Sequence, residues 1–345
     1  MGGRELPMGA RGNGASEVTN PVMENVALQT LTSPVILFFL LGMVAAAARS
    51  ELSIPEAMAK GMSLYLMAAI GLKGGMAMAE SGVDSDVATA LLAGIAASFA
   101  IPFGAYALLR GFGRLNRIDA GAVAAHYGSV SVVTFVTAGE ILNSLGTAPA
   151  GFMVAVLAVM ETPAILSGLY LARRGKARAA AEGGSELWRD VFLNPSVVLL
   201  LGSFAIGWIS DTASTAAVKP FFDGLFKGIL CLFLLDMGLI AARRLMQSRA
   251  MNWRLVSLAI FFPLVNGAVG VLAGTAIGLD VGSAAAFGVL CASASYIAVP
   301  AAMRLALPQA DPGIYLTMSL SLSFPFNLIV NIGLIAWLAR TLAAG

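Results

Sequence analysis

From Ser33 onward the chain is a succession of apolar runs separated by short polar stretches. A helix needs about 20 mostly apolar residues to cross a bilayer. Ten segments come near that measure: 33–48, 54–79, 87–109, 120–145, 151–172, 194–210, 220–242, 253–279, 282–305 and 313–342. Several carry internal Gly or Pro. A membrane span tolerates such breakers only where neighbours or a cavity satisfy the freed backbone groups. The pattern predicts an all-α polytopic membrane protein. Residues 1–32 are polar and rich in Gly, Asn and Pro, without the compact apolar core of a signal peptide, and read as a flexible tail.

The polar stretches alternate in charge. Arg110, Arg114 and Arg117 fill one. Arg173, Arg174, Lys176, Arg178 and Arg189 fill another, and Arg243, Arg244, Arg249 and Arg254 a third. Between these lie stretches with Glu80, Asp84 and Asp86, with Asp211 and Lys219, or with Asp280. Ten spans put every basic loop on one side, which the positive-inside rule makes cytoplasmic. Both termini are then expected on the non-cytoplasmic side of the cell inner (plasma) membrane.

Composition agrees with a lipid environment. The chain is 58% hydrophobic and 12% charged, with mean hydropathy +0.85, against about 45–50% and about 25% in soluble domains. The net charge of +2 says little about partners, because the charges are segregated. Cys231 and Cys291 form no CxxC and have no His cluster beside them, so they read as buried thiols and no transition-metal site is expected.

Two stretches of the apolar pattern recur. "KGMSLYLMAAIGL" from Lys60 matches "KGILCLFLLDMGL" from Lys227 at its Lys-Gly and Gly-Leu positions. "GSVSVV" in the fourth span matches "ASASYI" in the ninth, and Pro163 in the fifth matches Pro325 in the tenth. All three matches share an offset of about 165 residues, which points to two halves of five spans. An odd number of spans per half forces the second to sit inverted, the architecture of many secondary transporters. The expected organisation is a first five-helix repeat over 33–173, a cytoplasmic linker over 174–193 and a second repeat over 194–345.

The polar clusters inside the fourth and ninth spans carry the candidate chemistry. In an extended stretch residues i and i+2 point the same way. If Gly128 lets the helix unwind, Ser129 and Ser131 face one site together, and Ser293 with Ser295 face it from the other half. Unwinding exposes N–H groups at half-helix N-termini, where the helix dipole favours an anion. Carbonyls and hydroxyls there can coordinate a hard cation such as sodium, and hydroxyls also donate to a small oxyanion. With no basic side chain in either break, an anion held by dipoles needs a co-bound cation. The alternative is that small Ser residues simply let helices pack closely.

Ionisable residues inside spans are costly and are functional candidates by default. Glu161, just before Pro163, is a candidate for holding sodium or a proton, and Asn327, beside Pro325, for the same task in the tenth span. Lys73 and Asp236 flank the matched Gly71 and Gly238; either they meet as a buried ion pair or Lys73 sits at the membrane surface. His126, the single histidine, is a proton carrier or a structural residue. Tyr296 lines the site or packs beside it. No HExxH, GxSxG or P-loop occurs, so no enzyme activity is expected, and the basic loops lack the interleaved aromatics of a nucleic-acid surface.

"SPVILFFLLGMVAAA", "SIPEAMAKGMSLYLMAAIGLKGGMAMA", "IDAGAVAAHYGSVSVVT", "PFFDGLFKGILCLFLLDMGL", "ETPA" and "MRLALPQADPGIYLTMSLSLSFPFNL", in that order, resemble the sodium-dependent bicarbonate transporters. The resemblance implies ten helices in two inverted five-helix repeats, a plan similar to the sodium/bile-acid symporters. It implies broken, crossing helices four and nine, a core domain of helices 3–5 and 8–10, and a gate domain of helices 1, 2, 6 and 7. It implies import of bicarbonate with sodium as coupling ion by an elevator-like motion, without a cofactor. Carried over by position, Gly128, Ser129, Ser131 and Thr134 face Ser293, Ser295 and Tyr296 across the substrate site, with Ser131, Ser295, Glu161 and Asn327 as sodium candidates. A homotrimer and a PII-like cytosolic regulator are known for some members. This chain departs from the family's pattern at Tyr296, where members carry an acidic residue, and at Lys73, where they carry a neutral one. A carboxylate or other small anion, with sodium or proton coupling, is the second reading, and an anion-sensing membrane receptor the third.

Overall fold

A computed structural model describes residues 32–82, 85–173, 195–248 and 251–344. Of the tail expected over 1–32 all but residue 32, and the whole of the linker expected over 174–193, lie outside the described residues. Every regular element among the described residues is helical. In chain order these are α1 (Pro34–Ala47), α2 (Glu56–Ser81), α3 (Ser85–Gly111), α4 (Arg117–Gly128), α5 (Val132–Ser144), α6 (Met153–Val159), α7 (Pro163–Arg173), α8 (Pro195–Ile209), α9 (Thr212–Gly224), α10 (Phe226–Gln247), α11 (Trp253–Ala276), α12 (Val281–Ala292) and α13 (Ala298–Ala306). The last, α14 (Pro312–Ala344), contains two π-helical stretches, Thr317–Ser323 and Asn327–Asn331.

Among the described residues, seven helical stretches are long and apolar enough to cross a bilayer. Three more apolar helices, Pro34–Ala47, Val198–Ile209 and Val281–Ala292, are shorter. At 1.5 Å per residue, the 14 residues of α1 fall short of a core about 30 Å thick. In α12 the shortness has a local cause: the helix stops at the Ser293 break. One expectation fails outright. The stretch with Asp211 and Lys219 is not a loop but helix α9, started by Asp211, whose carboxylate accepts from Ser214 N at 2.9 Å.

Helix pairing follows the small residues. α1 lies along α10, and α2 along α8. Gly42 sits where a Cβ would be 3.0 Å from the carbonyl carbon of Leu235, and Gly238 where it would be 3.0 Å from Met43 N. Backbone-to-backbone contact of this kind is how helices associate without a hydrophobic driving force. Gly71 plays the same part in the other pair, against Ser203 and Phe204 of α8. The glycines matched between the halves are therefore packing positions.

Hydrogen bonds between distant segments come in similar pairs. Asn116 caps α4 through Ile118 N and Asp119 N, and Asp280 caps α12 through Gly282 N and Ser283 N. Asp119 accepts from Asp311 N at 2.8 Å, while Ser283 Oγ accepts from Ala150 N at 3.0 Å. Arg173 donates to the Ala306 carbonyl, and Arg340 to the Leu145 carbonyl. Ser98 Oγ donates to the Met160 carbonyl, and Ser323 Oγ to the Ala259 carbonyl.

Candidate functional site

The helix formed by 117–144 is interrupted at Ser129–Ser131, and the chain after α12 is extended at Ser293 before α13 begins. Gly128 is where the first break starts, but its role is spatial. A Cβ there would stand 2.5 Å from Pro102 Cδ and 2.9 Å from Ala164 Cβ, so only glycine lets α4 pass against α3 and α7.

The serines divide their work along similar lines in the two breaks. Ser129 and Ser293 are the C-caps of α4 and α12, with extended backbone at φ −87° and −76°. Ser131 caps α5, its hydroxyl accepting from Thr134 N at 3.2 Å. Ser295 lies two residues before the N-cap of α13, Ile297, and its hydroxyl accepts from Val299 N in the first turn at 3.3 Å. The two extended segments are tied to each other. Ser131 N donates to Ser293 Oγ at 3.0 Å, and Ser295 N donates to the His126 carbonyl at 2.9 Å.

This arrangement corrects the expectation that both serines of each pair face one site. Ser129 Oγ turns to the Glu161 carbonyl at 3.2 Å, and Ser293 Oγ donates to the Leu290 carbonyl at 2.8 Å. Their hydroxyls satisfy backbone groups freed by the breaks, a cost that buried backbone cannot leave unmet. Only Ser131 and Ser295 remain to line the small pocket between the two breaks.

Glu161, Tyr296, Met67, Val130 and Ile297 line that pocket with them. Its free volume is about 10 Å³, the room one water needs. Glu161 lies between α6 and α7, where Pro163 stops the chain from continuing as one helix. Its residue is 5% exposed, and no cationic side chain reaches it among the described residues. Tyr296 packs its ring on Phe324 with centroids 5.1 Å apart, and its phenol points toward the Ser131 and Thr134 hydroxyls. Neither the Tyr296 phenol nor Thr134 Oγ1 has a hydrogen-bond partner, although both are buried. Buried polar groups are satisfied in almost all native structures. The pocket thus holds a lone carboxylate and a phenol with hydrogen-bonding capacity to spare, while Thr134 lies beside it and not on its lining.

The remaining candidates sit elsewhere. Asn327 does not line the pocket. Its amide donates to the Ala292 carbonyl at 3.0 Å, holding the end of α12, and its Oδ1 accepts from Asn331 at 2.8 Å. The π-helical turns of α14 aim these amides out of register with an ordinary helix. Lys73 and Asp236 do not pair: Lys73 forms its ion pair with Asp223 of α9 at 2.9 Å and lies over the Phe226 ring at 4.2 Å. His126 is fully buried, bonds through Nδ1 to the Ala122 carbonyl at 2.7 Å and stacks on Tyr315. Its Nε2 has no partner. Met67 carried no sequence signal as a pocket residue, because an interior Met of an apolar helix looks like core.

No group of three or more His, Cys, Asp or Glu side chains able to hold a metal ion occurs among the described residues. What the pocket offers is hard oxygen donors: one carboxylate, two serine hydroxyls and a phenol. Such a set suits an alkali cation, and the N-termini of α5 and α13 suit an anion. Among curated proteins, none matches this sequence. A model of the Na+-dependent bicarbonate transporter superfamily matches residues 34–340, nearly the whole chain, and the protein belongs to that superfamily.

Proposed function

We propose that the protein is a secondary transporter that imports bicarbonate together with sodium, binding both at the crossing of the two broken helices. The observation that carries this reading is the pocket itself. An anion there meets no basic side chain, only the N-terminal ends of α5 and α13, the Ser131 and Ser295 hydroxyls and the orphan phenol of Tyr296. Once ionised, Glu161 makes the pocket's net charge negative. A bicarbonate ion entering alone would add like charge in a low-dielectric space, and a sodium ion held by Glu161 and hydroxyl oxygens removes that penalty. Coupling then follows from electrostatics: each ion raises the other's affinity.

A pocket with room for one water fits a closed state, so uptake of bicarbonate requires α5 and α13 to move against their neighbours. Such motion is natural to two inverted five-helix repeats, with α1, α2, α8, α9 and α10 as the gate and the rest as the core. The paired helix contacts and the paired hydrogen bonds support that plan. Exchanging the halves carries α1 against α10 onto α8 against α2, and Arg173 against Ala306 onto Arg340 against Leu145. Cytoplasmic basic loops, outward termini and a trimer complete the proposal.

Purified protein in proteoliposomes is expected to take up labelled bicarbonate down an inward sodium gradient. Uptake is expected to be lost in the Ser131→Ala, Ser295→Ala double variant. Equal uptake with potassium replacing sodium removes the coupling. Stabilisation by a carboxylate and not by bicarbonate, in a thermal-shift comparison with sodium present, replaces the substrate.

A further inference from the structure

Lys60 and Lys227 open the two stretches that match between the halves of the chain, yet neither lines the central pocket. Lys227 has a place of its own. It stands at the start of α10, the end away from Arg243 and Arg244, and pairs with Glu140 of α5 at 2.9 Å. Both members of the pair line a cavity of about 330 Å³, together with Ser144 and with Ser33, Pro34 and Val35 at the start of α1. The two charges are not equally open: the Lys227 side chain is 66% exposed and that of Glu140 19%. This vestibule therefore faces an ammonium backed by a carboxylate. A single carboxylate leaves an ammonium with donors to spare, and ion pairs with one partner so exposed are weak, so the base remains open to an anion.

From the vestibule the same two helices lead inward. Val136 lies one turn before Glu140 on α5, and Leu230 one turn after Lys227 on α10. With Val133 and Phe233 they line a second, smaller cavity, of about 10 Å³. That cavity shares Met67 and Val132 with the central pocket. Three spaces thus follow one another along the seam of α5 and α10, from the vestibule to the crossing of the broken helices. The middle one is apolar and all but closed, and the innermost has no basic side chain on its lining. An anion arriving from this end meets a cation at Lys227 and none on the linings beyond it. A charge at the mouth of a cleft with low-dielectric walls concentrates counter-ions there.

We propose that Lys227 is the anion-receiving residue of the transport route, holding bicarbonate in the vestibule before it passes along the α5–α10 seam to the central pocket. Glu140 holds the ammonium at the mouth while no anion is bound. The proposed orientation makes this mouth the outer one. The route and its destination rest on the transport reading; the anion selectivity of the vestibule rests on the cavity and its ion pair alone.

The test introduces Ser144→Cys on the vestibule lining of the full chain and compares its modification by an anionic and a cationic thiosulfonate of similar size. The parent, whose Cys231 and Cys291 are buried, is the blank. Lys227→Gln is expected to lower the anionic-to-cationic rate ratio about tenfold, and Glu140→Gln to raise it. Lys60→Gln removes the same charge at the matched position of α2, off the cavity lining, and should leave the ratio as it is. In proteoliposomes Lys227→Gln should raise the bicarbonate KM about tenfold with the maximal rate within about twofold, and Lys227→Arg should restore it. An ion pair that only braces α5 against α10 would make Lys227→Gln and Glu140→Gln act alike. The proposal is overturned by that result, by a ratio that Lys227→Gln does not move, or by an unchanged KM. Modification needs no transport, so a parent that takes up no bicarbonate overturns the transport reading, while the rate ratio still decides whether the vestibule selects anions.

Discussion

Two serines two residues apart, Ser293 and Ser295, are predicted to fail in opposite ways when truncated. Ser293 Oγ donates to the Leu290 carbonyl and accepts from Ser131 N, both buried. Ser293→Ala leaves the Ser131 N–H without an acceptor, which costs about 1–3 kcal/mol, and loses a second bond worth about 1 kcal/mol. A destabilisation of roughly 2–4 kcal/mol follows. The Ser293 hydroxyl does not line the pocket, so the ion affinities of the protein that remains folded stay within about threefold. Ser295 Oγ accepts one hydrogen bond, from Val299 N at 3.3 Å, and lines the pocket. Ser295→Ala should cost about 1 kcal/mol of stability, the usual net loss of one hydrogen bond. It also removes an oxygen from a charged ligand, about 1.5–3 kcal/mol, which raises the sodium or bicarbonate KM roughly tenfold or more. The assay pairs denaturation midpoints in detergent with initial rates of bicarbonate uptake over a sodium titration. If Ser293→Ala raises KM as much as Ser295→Ala while costing no more stability, the division of labour between the serines is wrong.

Glu161→Gln keeps the shape of a buried side chain and removes its charge; the sodium concentration for half-maximal uptake is expected to rise at least about tenfold while the protein still folds. Unchanged sodium dependence would exclude Glu161 as the cation's ligand. Tyr296→Phe deletes a phenol that has no partner in the structure, so stability should hold or rise slightly, by about 0.5–1 kcal/mol, while bicarbonate affinity falls. A loss of stability above about 2 kcal/mol would mean that the phenol is already satisfied. Gly238→Leu forces α10 away from Phe39 and Met43 of α1 and should abolish stable expression, whereas Gly228→Ala, in open space on the same helix, should be neutral or stabilising by about 0.5–1 kcal/mol. Comparable monodisperse yields for the two would refute the packing role of Gly238.

The bilayer makes local sequence unusually informative. Apolar length determines where helices run, since backbone groups in lipid must be satisfied within the segment. Gly, Ser and Pro inside those runs mark where the helices break. The all-helical class, the apolar helices and the breaks at Gly128–Ser131 and Ser293–Tyr296 were therefore written in the chain itself. Partner choice was not. Ser129 and Ser131 look alike in sequence, and only the approach of the Glu161 carbonyl to one and of the pocket to the other separates them. Lys73 sits beside Gly71 as Asp236 sits beside Gly238, yet the packing of α9 across α2 hands Lys73 to Asp223. Each of these outcomes depends on a contact between distant segments, and a hydrogen bond or ion pair a few ångströms long is decided by how helices pack, which no periodicity along one helix encodes.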